Sequence, residues 1–275
     1  MSNIIKKCLL IGINYLGTGY QLDGCINDSY NLKNFLISKG FFNESQFIIM
    51  NDNQKDSYYP TKNNIINKFN DLLNLALQNK DKKIQYFIAY SGHGSNLPDT
   101  DGDEDDGFDE CLCPVDCDQN GFIVDDYIRT EFIEKLPKNV NIVALIDACH
   151  SGTIMDLKYN YAIDKKNSYN ANGIYKNALC NVVMISGCQD SQTSSDAYLP
   201  INQYGGMYKL KSKQFQYNGA MTSAFLASFQ DNITYEQLII NIRTWLNNNK
   251  FVQLPQLSSS NLLDVKSKFL LGFYK

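Results

Sequence analysis

Apolar positions along the chain fall into two alternating textures, short continuous runs and longer stretches spaced by three and four. That alternation predicts an α/β protein. Cys8-Leu-Leu-Ile-Gly-Ile13 reads as a buried strand, and residues 27–38 follow as a helix with Leu32, Phe35 and Leu36 inward. Phe47-Ile-Ile-Met50 is a second strand. Pro60-Thr61 opens a long helix carrying Ile65, Ile66, Phe69, Leu72, Leu73, Ala76 and Leu77 on one face. Residues 83–90 and 140–148 are a third and fourth strand, and a helix over 126–136 stops before Pro137. Strands that are apolar on both faces and separated by helices belong to a parallel sheet covered on both sides.

Residues 111–124 read as a hairpin, with Asn120-Gly121 as its turn. After Asp156 the texture changes. Residues 157–178 are rich in Lys, Asn and Tyr without periodicity and read as an exposed linker. Residues 181–186 are another buried strand, and Met221, Phe225 and Phe229 mark a helix. Thr234-Tyr-Glu-Gln237 is a capping box opening one more helix, with Leu238, Ile239, Ile242 and Trp245 inward. Pro255 and the Ser258–Ser260 run precede a final short strand or helix near Phe269. The expected organisation is one domain over 1–275, made of a large region (1–156), a linker (157–180) and a small region (181–275).

Composition narrows the classes. At 44% hydrophobic and 20% charged residues over 275 positions, the chain is globular, neither disordered nor fibrous. Lys+Arg 25 against Asp+Glu 29, net -4, lacks the basic excess of a nucleic-acid binder. No apolar run approaches the ~18 residues of a membrane span. The first residues carry no secretory pattern, so a cytoplasmic protein with reduced cysteines is expected.

The candidate chemistry sits at strand ends. The only histidines are His93 and His150, each just past a predicted strand. That edge of a parallel sheet is where sites form. Cys149 lies there too, in Asp147-Ala-Cys-His-Ser-Gly152. A thiol becomes a good nucleophile when an imidazole takes its proton. His150 is its sequence neighbour and points away, so His93, on another strand, is the better base. Gly94 and the residues around Cys149 offer backbone N–H groups for an oxyanion. Cys111, Cys113 and Cys117 cluster, but their spacing is not that of a zinc site.

Tyr90-Ser-Gly-His-Gly94 and Asp147-Ala-Cys-His-Ser-Gly152 resemble the two catalytic motifs of metacaspases, cysteine peptidases of the caspase-like clan. Leu10-Ile-Gly-Ile-Asn-Tyr15, Leu22-Asp-Gly-Cys-Ile-Asn-Asp28, Val124-Asp-Asp126 and Ile185-Ser-Gly-Cys188 agree in order. The resemblance is to the type I arrangement without its N-terminal prodomain. It implies a caspase-like three-layer α/β/α sandwich with a mostly parallel central sheet, and a monomer. It also implies an endopeptidase acting on peptides or proteins after Arg or Lys.

The acidic residues follow the same logic. Asp28 and Asp147 map to the binding edge, where two carboxylates would attract a cation and reject an acidic side chain. Alone, Asp28 reads rather as a helix cap and Asp147 as a residue that hydrogen-bonds the next loop. The resemblance makes Asp28, Asp147, Cys25 and Ser91 the specificity pocket. It further implies calcium held by Asp109, Asp125, Asp126 and Asp156. The run from Asp99 to Asp106 reads as solvated. Asp116-x-Asp118-x-Asn120-Gly121 imitates an EF-hand but lacks the closing Glu, with Tyr127 in its place. Lys158, Lys165, Lys166 and Lys176 make the linker a target for self-cleavage, after Lys165 or Lys166. The competing class is a catalytically silent, calcium-responsive scaffold.

Overall fold

The computed structural model describes residues 4–99, 107–148, 152–163, 168–172, 178–187, 196–200 and 215–269. Its centre is an eight-stranded sheet. Four strands come from the large region: β1 (Ile4–Gly12), β2 (Phe47–Asn51), β3 (Lys83–Ser91) and β7 (Val140–Asp147). The others are β8 (Tyr159–Ala162), β9 (Ser168–Ala171), β10 (Asn181–Ser186) and β13 (Gln256–Ser259). The order β2-β1-β3-β7-β10-β13-β8-β9 is parallel as far as β10 and antiparallel at each later pairing. Two small sheets stand apart. One joins β4 (Gly94–Pro98), β5 (Phe108–Leu112) and β6 (Ile123–Val124), and the other pairs β11 (Asp196–Pro200) with β12 (Phe215–Gly219).

Helices cover both faces, as a sheet apolar on both sides requires. One face holds Leu9, Ile11, Tyr86, Ile88, Ile142, Ala144, Val182 and Met184. It packs on α2 (Lys62–Gln78) through Ile65, Phe69, Leu72, Leu73 and Ala76. The neighbouring sheet positions Cys8, Leu10, Phe87, Ala89, Val143, Leu145, Val183 and Ile185 point the other way. They pack on α1 (Cys25–Ser38), α5 (Ala220–Ser228) and α6 (Tyr235–Asn248). The two caps expected at helix starts form: Thr61 accepts from Asn64 N–H (3.3 Å) and Thr234 from Gln237 N–H (3.1 Å). Among the described residues, no helix is long and apolar enough to cross a membrane.

Three local expectations change. The stretch taken as an exposed linker contributes β8 and β9, which extend the sheet, and it buries Tyr161 and Ile163. Its pairing partner β13 was hidden in the Ser-rich run. Two serines of that run are held by hydrogen bonds rather than apolarity, Ser259 Oγ with Tyr161 Oη (3.1 Å) and Ser260 Oγ with Cys180 O (3.0 Å), while the Ser258 hydroxyl is buried without a partner among the described residues. Phe269 is in no strand, but packs edge-on against Tyr235. Asn120-Gly121 is also not a hairpin turn. It closes a single helical turn, α3 (Cys117–Asn120), with Gly121 at φ +73 as the terminating glycine. The strands flanking it do pair, Cys111 with Val124 and Leu112 with Ile123. The helix expected over 126–136 does form: α4 (Asp125–Tyr127) starts directly from β6, and the chain stays helical through Lys135, with wider turns over Ile128–Phe132 and a tighter one over Ile133–Lys135.

Arg243 on α6 ties the added strands to the small region. It donates to Pro255 O (3.0 and 2.8 Å) and to Ile163 O (2.6 Å), just past β8. A lysine cannot reproduce this fork. Arg243→Lys should lower the unfolding free energy by about 2 kcal/mol in urea denaturation and raise amide exchange in β8 and β9. Parent-like values for both would mean that the fork adds nothing net.

Candidate active site

Parallel pairing aligns the strand ends that carry the site. Gly12 of β1 pairs with Ser91 of β3, and Ser91 pairs with Asp147 of β7, so the three positions lie level across the sheet. The loop after β1 carries Tyr15 and Tyr20, and the chain past β3 carries His93. Strand β2 lies on one side of β1 and β3 on the other, which makes this the crevice where the connections diverge. Cys149 lies outside the described residues, as does His150; the chain enters them from Ala148, fully buried after β7.

Helix α1 begins directly over this edge. An added Cβ at Gly12 would run into the Cys25 carbonyl, so only glycine lets the helix start so close to the strand. The close approach brings Cys25 (4% exposed) and Asp28 (0%) beside Ser91 (3%) and Asp147 (4%). The two carboxylates converge on Gly219, at the start of α5. Gly219 N–H donates to both oxygens of Asp28 (3.0 Å each), and Thr222 N–H donates to Asp147 Oδ2 (2.8 Å). A Cβ at Gly219 would strike Asp147 Oδ2 and sit 2.7 Å from Asp28 Oδ2. The helix N-terminus thus supplies the positive field that two buried like charges need. Asp28 and Asp147 therefore meet at Gly219, while Cys25 opens the helix that approaches Gly12 and Ser91 lies level with Gly12 and Asp147 in the sheet.

His93 is half-buried and held from several sides. Its Nε2 lies 2.8 Å from Tyr20 O. A carbonyl only accepts, so Nε2 carries the proton and Nδ1 is the nitrogen left to accept one. The ring packs on the Tyr15 ring, with centroids 4.7 Å apart. His93 N–H donates to Tyr15 Oη (2.9 Å), and Tyr90 Oη donates to His93 O (2.8 Å). Burial pushes both phenols well above their ordinary value, so both stay neutral and remain proton donors.

The four aspartates proposed for calcium lie on neighbouring elements. Asp109 is on β5, Asp125 and Asp126 open α4, and Asp156 follows β7 by a short loop. Both oxygens of Asp125 accept backbone N–H groups, from Glu110 (2.7 Å) and Asp126 (3.0 Å). Glu110 accepts from Thr153 Oγ1, and Arg129 donates to Asp156 O (3.2 Å). Hard oxygen donors suit calcium chemically. Among the described residues, however, no three acidic, Cys or His side chains are gathered closely enough to hold an ion. Asp116, of the EF-hand imitation, instead accepts from Lys62 N–H (2.8 Å) at the start of α2 and from Asn120 Nδ2 (2.8 Å). The acidic run over 100–106 is outside the described residues.

Gly219, Thr222, Tyr15 and the Tyr20 carbonyl were not anticipated as site residues. Backbone groups leave no side-chain signature in a sequence. The one available signal was Gly219 standing directly before an apolar helix.

A three-layer α/β/α sheet with a histidine and a pair of buried carboxylates at its carboxyl edge defines a caspase-like architecture. The sequence matches the family description "Metacaspase, peptidase C14 domain" over residues 6–158. It is 35% identical to Metacaspase-1 of Yarrowia lipolytica, over 97% of this chain and 64% of that protein. It is 36% identical to Metacaspase-1 of Eremothecium gossypii, over 97% and 66%. The chain spans just under two thirds of the length of these two relatives. Its fold matches a crystal structure of protein GSU0716 from Geobacter sulfurreducens, with a TM-score of 0.59 at 21% identity, covering 96% of this chain and 97% of that one. The chain belongs to the metacaspase family.

Gly219→Ala tests the convergence of the two carboxylates. The methyl group must displace at least one of them, at a cost of about 1–3 kcal/mol in folding stability by thermal or urea unfolding. Unchanged stability would mean that the carboxylates have room to spare.

Proposed function

We propose that the protein is a cysteine endopeptidase that cleaves after Arg or Lys. The observation that carries the reading is the pair of buried carboxylates, Asp28 and Asp147, converging on Gly219 beside the strand end that leads to His93. A basic side chain entering there would meet two anions in a water-poor site. An acidic one would be left unpaired, a difference worth several kcal/mol as an order of magnitude. Cys25 and Ser91 are read as walls of the same pocket.

In the proposed reaction Cys149 Sγ attacks the carbonyl carbon after the basic residue. The thiol proton passes to Nδ1 of His93, whose Nε2–H stays on Tyr20 O. Backbone N–H groups around Gly94 and Cys149 hold the oxyanion. Collapse expels the amine, which takes the proton from His93, and water then hydrolyses the thioester. Cys149→Ala and His93→Ala should each abolish hydrolysis of an Arg- or Lys-reporter amide while leaving the circular dichroism unchanged. A Cys149→Ala protein that still cleaves would remove the nucleophile assignment. Equal cleavage of an Asp-reporter would remove the pocket assignment. A folded parent protein inert on all reporters would favour the silent scaffold.

Calcium belongs to the same reading. Asp109, Asp125, Asp126 and Asp156 would hold it, and the ion would screen the mutual repulsion of carboxylates, three of which are 6% exposed or less. Because Asp125 is engaged with backbone N–H groups, binding would require local rearrangement. The expected result is a calcium-dependent rise in melting temperature, weakened by Asp109→Asn and Asp156→Asn. No shift at millimolar calcium would end this part of the reading. Self-cleavage after Lys165 or Lys166 remains part of the proposal; both residues lie outside the described ones, between β8 and β9.

A further inference from the structure

We propose that Tyr15 is a positioning residue for His93, acting through its hydroxyl and held in place by Asp52; the inference rests on the reading of His93 as general base. Both backbone polar groups of His93 end on tyrosine hydroxyls. Its N–H donates to Tyr15 Oη (2.9 Å), and its C=O accepts from Tyr90 Oη (2.8 Å). The Tyr15 hydroxyl in turn donates to Cys113 O (2.6 Å), and Cys113 N–H returns to His93 O (3.2 Å). Tyr90 Oη also lies 3.0 Å from Cys113 O and 3.1 Å from Tyr15 Oη, so the two hydroxyls share the His93 and Cys113 carbonyls as acceptors. This circuit fixes the peptide on each side of the imidazole, while the Tyr15 ring lies against the imidazole face.

Two features place Tyr15 there by more than packing. Its φ is +53, a left-handed conformation that L-residues avoid. The adjacent N–H groups of Asn14 and Leu16 are clamped by the two oxygens of Asp52, at 2.7 and 3.0 Å. Such strain persists only where the surroundings over-determine it, and it concentrates at functional sites. Moreover, the space above the circuit is kept empty. A Cβ at Gly92 would approach Tyr90 Oη to 2.8 Å and Tyr15 Oη to 3.0 Å. The same loop delivers the Tyr20 carbonyl to Nε2, so one clamped segment sets both the orientation and the tautomer of the imidazole.

Tyr15→Phe keeps the ring and removes only the hydroxyl. For Arg-reporter hydrolysis, kcat should fall about ten- to a hundredfold, as expected for a misplaced catalytic group. KM should stay within about twofold, because the carboxylate pocket is untouched. The imidazole nitrogen shifts of His93, assigned with the aid of His150→Gln, should change from one Nε2–H tautomer to a mixture. The control is Tyr86→Phe, which loses a comparable buried bond to Leu72 O (2.7 Å) away from the site. It should lose stability while keeping the parent kcat and tautomer. A Tyr15→Phe protein with parent kcat and a single tautomer would overturn the proposal, as would equal effects from Tyr86→Phe. If the parent cleaves no reporter, the peptidase reading fails, and the tautomer measurement alone decides the positioning role.

Discussion

The level alignment of Gly12, Ser91 and Asp147 across three parallel strands is the constraint on which the rest of the site depends. Parallel pairing fixes which residue ends each strand relative to its neighbours, and a slip of one residue would turn every side chain to the other face. With this register, Asp147 faces α1 and α5, and Ile146 faces α2 and its neighbours. The loop after β1 lies beside the chain leaving β3. Tyr15 and Tyr20 can then grip His93 from far away in the sequence.

The buried carboxylates show how such a site is tolerated. Two like charges removed from water would ordinarily destabilise the fold by several kcal/mol, as an order of magnitude. Here the first turn of α5 answers them with Gly219 N–H and Thr222 N–H, groups that a helix leaves unsatisfied in any case. Glycine at 219 leaves the carboxylates room to approach, and glycine at 12 lets α1 bring Asp28 within reach. Backbone groups of the small region thus meet carboxylates of the large one. The two regions also join in a single sheet, with β10 paired to β7.

Much of the architecture was legible in the residues. The five parallel strands follow from continuous apolar runs, and α2 and α6 from three-and-four spacing behind Thr caps. β13 was not legible, because its serines are polar by composition and Ser259 is tied down only once Tyr161 lies beside it. Nor were β8 and β9, whose tyrosines and asparagines read as solvated until a neighbouring edge accepts them. Of the candidate pocket residues, the fold brings Asp28 and Asp147 together at Gly219, although each taken alone reads as a structural residue.

The sequence by itself determined the chemistry available to this protein: a thiol and two imidazoles placed after two strands, acidic residues near them, and apolar patterns that specify strands and helices. These are properties of single residues and of local period. Only the tertiary structure decided which groups meet. The Tyr15 hydroxyl, the Tyr20 carbonyl and the N–H groups of Gly219 and Thr222 act at the site across long stretches of chain. Backbone groups are present in every residue, and a hydroxyl acquires a function only from its neighbours. What the sequence encodes as a register between strands, the fold converts into distances between atoms.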